Sequence, residues 1–140
     1  MINRIRAGMV CLDDEKILCI KQRDPKSGHE FWSLPGGGIE TAETALEAAI
    51  RETREETGYS VVAKPRSFIN DYEFFWNGQT YNCRTHWFEG ALASRKPAEV
   101  ISETDIIACQ WIGWPNSRNY FNHNMALLEV LDFFAPQKMD

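Results

Sequence analysis

The stretch Gly37 to Tyr59 reads GGIETAETALEAAIRETREETGY, a glycine-rich turn running into a segment of helical periodicity. At about 100° per residue, Glu52, Glu55 and Glu56 stand at i, i+3 and i+4 and share one narrow sector of a helix. Like charges at these spacings destabilise a helix by roughly 0.2–0.5 kcal/mol per pair, so the cluster makes most sense where a cation offsets the repulsion. Hard divalent cations take oxygen ligands, and Mg2+ suits an open group of few carboxylates completed by waters and phosphate oxygens. Neither Cys nor His lies in the cluster, which disfavours zinc.

An ExxEE run by itself is also what a solvated helix face carries. The surrounding frame sets this one apart: Gly37, five residues, Glu43, seven residues, then Arg51-Glu52-Thr53-Arg54-Glu55-Glu56-Thr57-Gly58-Tyr59. It resembles the Nudix box, G-x5-E-x7-R-E-U-x-E-E-x-G-U, in which U is a bulky apolar residue. All seven fixed glycine, glutamate and arginine positions are present within the 23-residue window. Two positions depart from the pattern. Thr53 fills the first U, where its methyl group can pack inward, and Ala42 stands where many members carry glycine, which asks only that this turn residue not demand a positive φ.

The resemblance implies an α/β fold, an α/β/α sandwich with a central mixed sheet, and metal-dependent hydrolysis of a nucleoside diphosphate linked to another group. It implies Mg2+, with Mn2+ as the other candidate, held by Glu52, Glu55, Glu56 and the Gly37 carbonyl. Arg51 is expected to pair with a neighbouring glutamate and fix its orientation. Glu43, at the helix start, reads as structural and favoured by the helix dipole. The general base is sought first at Glu56 or Glu55, with Glu103 as an alternative or an additional ligand; Glu103 is equally readable as a solvated loop carboxylate. Lys21, Arg23 and Lys26 precede the glycine turn and are candidates for substrate phosphates, Arg23 first because its guanidinium offers a fork of donors; exposed strand-end charges are the alternative.

Length and composition fit one domain over residues 1–140, with 44% apolar residues for a core. A net charge of −5 argues against a large basic surface for nucleic acid and leaves nucleotide binding through a metal open. Cys11, Cys19, Cys83 and Cys109 form no CxxC and no disulfide framework, and read as small core residues of a reducing compartment. With no leader pattern and no long apolar run, the expectation is a cytoplasmic protein without membrane contact; a homodimer is allowed.

Along the chain, Ile5 to Leu12 and Lys16 to Gln22 read as strands joined by a turn at Asp13-Asp14-Glu15. A loop from Asp24 to Glu30 leads to a short extended piece at Phe31 to Leu34, then to a glycine loop at Pro35 to Gly38. The spacing predicts a helix from about Glu43 to Thr57, capped near Thr41 or Ala42 and ended by Gly58, with Leu46, Ala49, Ile50, Thr53 and Thr57 buried. Val61 to Ala63, Ser67 to Trp76, Thr80 to Leu92 and Ile106 to Trp114 read as strands, with a tight hairpin at Asn77-Gly78. Asn122 is expected to cap a last helix from about His123 to Phe134. Trp32 is expected beneath the glycine loop, and the other strand aromatics belong first to the core. His29, His86 and His123 show no ligand spacing.

Substrate markers downstream of the box are absent. The resemblance places a proline in ADP-ribose hydrolases, or a tyrosine in dinucleoside polyphosphate hydrolases, near the region that here reads Glu73-Phe74-Phe75-Trp76-Asn77. Both readings lose weight, leaving a nucleotide sugar or a nucleoside triphosphate. Two rivals differ in class: a non-catalytic Nudix-like module that senses a nucleotide, disfavoured by the intact glutamates, and an isoprenoid diphosphate isomerase, disfavoured by the lack of a suitable nucleophilic Cys.

Overall fold

Strong local signals and long-range pairing meet at β1, the strand that holds the architecture together. In the computed structural model, which describes residues 1–100 and 104–136, the elements run β1 (Ile2–Asp13), β2 (Lys16–Arg23), β3 (Glu30–Ser33), β4 (Gly36–Gly38), α1 (Ala45–Thr57), β5 (Val61–Trp76), β6 (Gln79–Leu92), β7 (Ile106–Gly113), α2 (Trp114–Ser117), a 3₁₀ turn (Arg118–Tyr120) and α3 (Met125–Phe134). β1 lies antiparallel to β4 on one side and parallel to β6 on the other, and β5 pairs antiparallel with β6. The end of β1 pairs with β2, which carries β3 and β7, both antiparallel. Among the described residues the sheet is therefore mixed, with seven strands.

Helices cover both faces. Ala7, Met9 and Cys11 of β1 and Leu18 of β2 bury against Ala48 and Ala49 of α1. Their strand neighbours Val10, Ile17 and Cys19 join Trp87 and the α3 residues Val130, Leu131 and Phe134. A strand buried on both faces reads as an apolar run rather than an alternation, which is why Ala7 to Cys11 carries no charged residue. Each fully buried large side chain here contributes about 1.5–3 kcal/mol. The result is a helix–sheet–helix sandwich. No helix among the described residues is long and apolar enough to cross a membrane.

Several local expectations change. Pro35 to Gly38 is not simply a loop: Gly36, Gly37 and Gly38 form β4, paired with Gly8, Ala7 and Arg6. α1 starts at Ala45, capped by Thr44 in a reciprocal capping box with Glu47, because a Thr-x-x-Glu pattern satisfies two orphan N–H groups at once. Ala42 instead takes φ +68°, so the turn before the helix does demand the left-handed conformation. Gly58 ends the helix at φ +81°, and a Cβ there would meet the Ala98 carbonyl oxygen. Within α1, Ala48 and Glu56 are buried while Leu46 and Ile50 are half-buried.

The two segments expected between Val61 and Trp76 are one strand with a register shift between Ala63 and Ser67, as an inserted residue bends a strand without ending it. Trp114 opens α2, not the end of β7. α3 begins at Met125 and its cap is Asn124, whose side chain accepts the Leu127 N–H at 3.1 Å. Trp32 meets Tyr120 edge-on at 5.5 Å. Cys11, Cys19 and Cys83 are buried, and burial pushes the Cys11 thiol up to about 12, whereas Cys109 is exposed on β7. Glu103 lies outside the described residues.

Candidate active site

Arg51 gathers the acidic residues of α1. Its Nε and Nη2 donate to the two Glu43 oxygens at 2.7 and 3.0 Å, the bidentate fork that fits a carboxylate. Nη1 donates to Glu52 Oε1 at 3.0 Å and to Glu55 Oε2 at 3.1 Å, and Nη2 also reaches the Gly38 carbonyl at 3.0 Å. One guanidinium thus ties the helix to the preceding turn and to β4. The Arg51 fork, followed by the Glu40 N–H, holds the Glu43 carboxyl down at about 2. Glu43 also raises the Arg51 pKa above its already high ordinary value.

The three clustered glutamates have different surroundings. Glu55 has a side chain 45% exposed and Glu52 one 16% exposed. Glu56 is buried, 6% exposed, and its Oε1 accepts the Gly36 N–H at 2.8 Å. Glu52 lies against Gly37, where an added Cβ would stand 2.5 Å from its carboxyl carbon. The glycines of β4 therefore let the strand backbone lie directly beside two carboxylates. Thr53 and Thr57 are buried beneath them, each hydroxyl donating to the carbonyl four residues earlier, at 2.7 and 2.6 Å, which makes a polar residue tolerable in an apolar layer.

Among the described residues, no three acidic, His or Cys side chains are arranged as a ready-made metal centre. The donor set nevertheless suits a hard cation: Glu52, Glu55 and Glu56 on one helix, beside a strand whose glycines leave its peptide groups accessible, and no thiolate or imidazole among them.

Lys21 and Arg23 are placed apart from this cluster in their contacts. Arg23 donates through Nε and Nη2 to Glu30 Oε2 at 3.1 and 2.7 Å, and Lys21 lies 3.6 Å from Glu30 Oε1. Arg23 first of all, then Lys21, holds the Glu30 carboxyl below its usual range.

Two residues escaped the sequence reading. Asp24 is buried and accepts from the Lys26, Ser27 and Asn77 N–H groups at 2.9, 3.0 and 2.8 Å. It fastens the loop after β2 to the β5–β6 hairpin; Asp24-Pro25 is a recognisable turn signal, but its third partner is distant in sequence. Arg6 is half-buried on β1 and donates to the Tyr72 hydroxyl at 3.0 Å, which shares a hydrogen bond with Thr85 at 2.7 Å. Strand alternation around Ala7 could have placed Arg6 on the α3 face; nothing local names Tyr72.

A NUDIX domain matches residues 2–125. The chain is 30% identical over 115 residues to the dihydroneopterin triphosphate diphosphatase of Escherichia coli (strain K12), covering 74% of this chain and 72% of that protein. It is 27% identical over 129 residues to the RNA pyrophosphohydrolase of Orientia tsutsugamushi (strain Boryong), covering 86% and 79%. Its match to a Bacillus subtilis (strain 168) relative spans 62% of that protein's length. The fold is like that of a NUDIX hydrolase from Nitrosomonas europaea, with a TM-score of 0.70 at 24% identity over 94% of this chain and 86% of that one. With its box glutamates and arginine gathered on α1 beside a glycine strand, the chain belongs to the Nudix hydrolase family.

Proposed function

We propose that residues 1–140 act as one Nudix domain that hydrolyses the diphosphate bond of a nucleoside polyphosphate. The observation that carries this reading is the convergence of Glu52 and Glu56 on β4 while Arg51 holds Glu43, Glu52 and Glu55. Glu52, Glu55, Glu56 and the Gly37 carbonyl are the proposed ligands of Mg2+ or Mn2+. What that ion supplies when bound is neutralisation of phosphate charge and a lowered pKa for an attacking water.

The chain's own residues do the rest. Arg51 fixes the carboxylate geometry through its fork on Glu43. Glu55, the most exposed of the three, is the accessible proton acceptor, with Glu56 and Glu103 as the other candidates for the base. The attack adds water across one P–O–P bridge, the proton passing to the carboxylate and the leaving phosphate departing with the bridging oxygen. Lys21 and Arg23 are proposed as outer phosphate contacts that substrate shares with Glu30. The diphosphatase and pyrophosphohydrolase names of the relatives support a nucleoside triphosphate over a nucleotide sugar.

The test is release of phosphate or nucleotide from nucleoside triphosphates, nucleotide sugars, ADP-ribose, dinucleoside polyphosphates and coenzyme A, with Mg2+, with Mn2+ and with EDTA. Metal-dependent release from triphosphates is expected. Saturable nucleotide binding without release from any of them would replace hydrolysis by a sensor role.

A further inference from the structure

We propose that the outer edge of β5 joins two copies of this chain, the two strands running antiparallel about a two-fold axis at Ile69. The proposal does not depend on the hydrolytic reading above.

Among the described residues β5 pairs with β6 alone and forms one edge of the sheet. A free strand edge is a row of unpaired N–H and C=O groups, which proteins blunt with proline, lysine, bulges or a covering element. β5 is blunted over its first part only, by Lys64, Pro65 and the register shift between Ala63 and Ser67. From Ser67 to Trp76 it continues in regular register without proline or lysine. α3 leaves this edge open: Leu127, Val130, Leu131 and Phe134 are buried in the core, while Phe133 lies over Phe68 with 4.7 Å between ring centres.

Apolar surface flanks the edge on both faces of the sheet. Phe68 sits opposite Trp87 on the α3 side, and the Phe133 that stacks on it is 42% exposed. Ile69 follows Phe68, stands on the other face and is 52% exposed. A strand added to the edge covers Phe133 and Ile69 together, which a partner docked on one face of the sheet could not do.

The charge order of β5 selects a second copy as that strand. Lys64 and Arg66 precede Ile69, and Asp71 and Glu73 follow it. A strand segregated in this way complements itself when antiparallel, since the basic part of each copy then lies along the acidic part of the other. With the axis at Ile69, Pro65 falls opposite Glu73 of the second copy. Glu73 is then about 4.8 Å across and about 3.3 Å along from Lys64. Both side chains are exposed, and among the described residues neither has an ion pair. Pro65 has no N–H and ends the new ladder, which runs from Arg66 to Tyr72. Such a contact uses the same patch twice and closes at two chains.

Sedimentation equilibrium of the full chain at micromolar concentration is expected to give twice the chain mass of 16.1 kDa. A monomer throughout overturns the proposal. Ile69→Lys places two charges on the axis and is expected to raise the dimer Kd by about 10-fold or more. Phe133→Lys, from the opposite face, is expected to do the same, and wild-type association in either folded variant overturns the edge. Ile5, 60% exposed on β1, shares the face of Ile69 with β6 between it and the edge. Ile5→Lys is expected to leave the mass at two chains; a monomer here replaces the edge by a face-to-face contact. Lys64→Glu and Glu73→Lys are each expected to weaken the dimer by about 3-fold or more, and the double variant to recover it. Losses that add in the double variant overturn the antiparallel register. If Phe133→Lys fails to fold, this charge reversal on two exposed side chains decides in its place.

Discussion

The Glu56 carboxylate accepts the Gly36 N–H at 2.8 Å across a sequence separation of 20 residues. This hydrogen bond sets the inner edge of the site, because it fixes one box carboxylate against the strand on which the next residue, Gly37, touches Glu52. Helix and strand are thereby registered to each other through the groups proposed to do the chemistry.

Glu56→Gln keeps the size and an acceptor oxygen for the Gly36 N–H while removing the charge. Turnover should fall by about 100-fold or more. The thermal midpoint should stay within about 4 °C of wild type. Steady-state kinetics beside a melting curve checks both, and near wild-type kcat would remove Glu56 from the ligand or base role.

Neighbouring glycines should respond differently to the same substitution. Gly37→Ala drives a methyl group to 2.5 Å from the Glu52 carboxyl carbon, whereas at Gly38 the nearest atom is Arg4 Nη2 at 3.5 Å, an ordinary contact. We expect kcat/KM to fall about 10- to 100-fold in Gly37→Ala through displacement of Glu52. Gly38→Ala should change it by less than about 3-fold, a factor worth about 0.7 kcal/mol. Equal effects would show that Glu52 geometry does not limit the reaction.

Ala42 holds φ +68° in the turn before α1. A Cβ in this region costs about 1–2 kcal/mol, while glycine adds entropy of about 0.4–1 kcal/mol to the unfolded chain. Ala42→Gly should therefore stabilise by about 0.5 kcal/mol, leaving kcat unchanged; a denaturant titration with constant m-value measures it.

Arg51, then the Glu40 N–H, depresses the Glu43 carboxyl from 4.5 to about 2. A depressed folded-state pKa gives stability that is present above the unfolded value and lost as pH falls through the folded one. The melting temperature of wild type should therefore exceed that of Glu43→Gln at neutral pH, and the gap should close between about pH 4.5 and about pH 2. Scanning calorimetry across this range checks it; a gap independent of pH would mean that shape rather than charge holds the turn.

Arg23 already binds Glu30 through two donors. Substrate must compete with that exposed pair, so Arg23→Ala should raise KM by only about 2- to 5-fold with kcat unchanged. A loss confined to kcat would place Arg23 in the transition state instead.

The helix that carries the box was legible because its signals are local. The phase of Glu52, Glu55 and Glu56, the stop at Gly58 and the fork-bearing Arg51 all lie within a few turns of one another, where backbone geometry alone fixes which side chains share a face. Its start is set by the Thr44–Glu47 capping box, not by Thr41 or Ala42. The hairpins at Asp14-Glu15 and Asn77-Gly78 were readable for the same reason.

What the chain could not announce is everything that depends on strand pairing. Three consecutive glycines read as a loop because β-structure has no local sign in a segment without side chains, and only β1 turns Gly36–Gly38 into a strand. From that pairing follow the Glu56–Gly36 bond and the contact of Gly37 with Glu52, and from the pairing of β1 with β6 and β6 with β5 follows the bond of Arg6 to Tyr72, 66 residues away. The sequence by itself determined the acidic helix and the face its glutamates share. Tertiary structure decided which backbone meets those carboxylates and which hydroxyl meets Arg6, because hydrogen bonds between distant strands are set by the packing of the whole sheet between its helices.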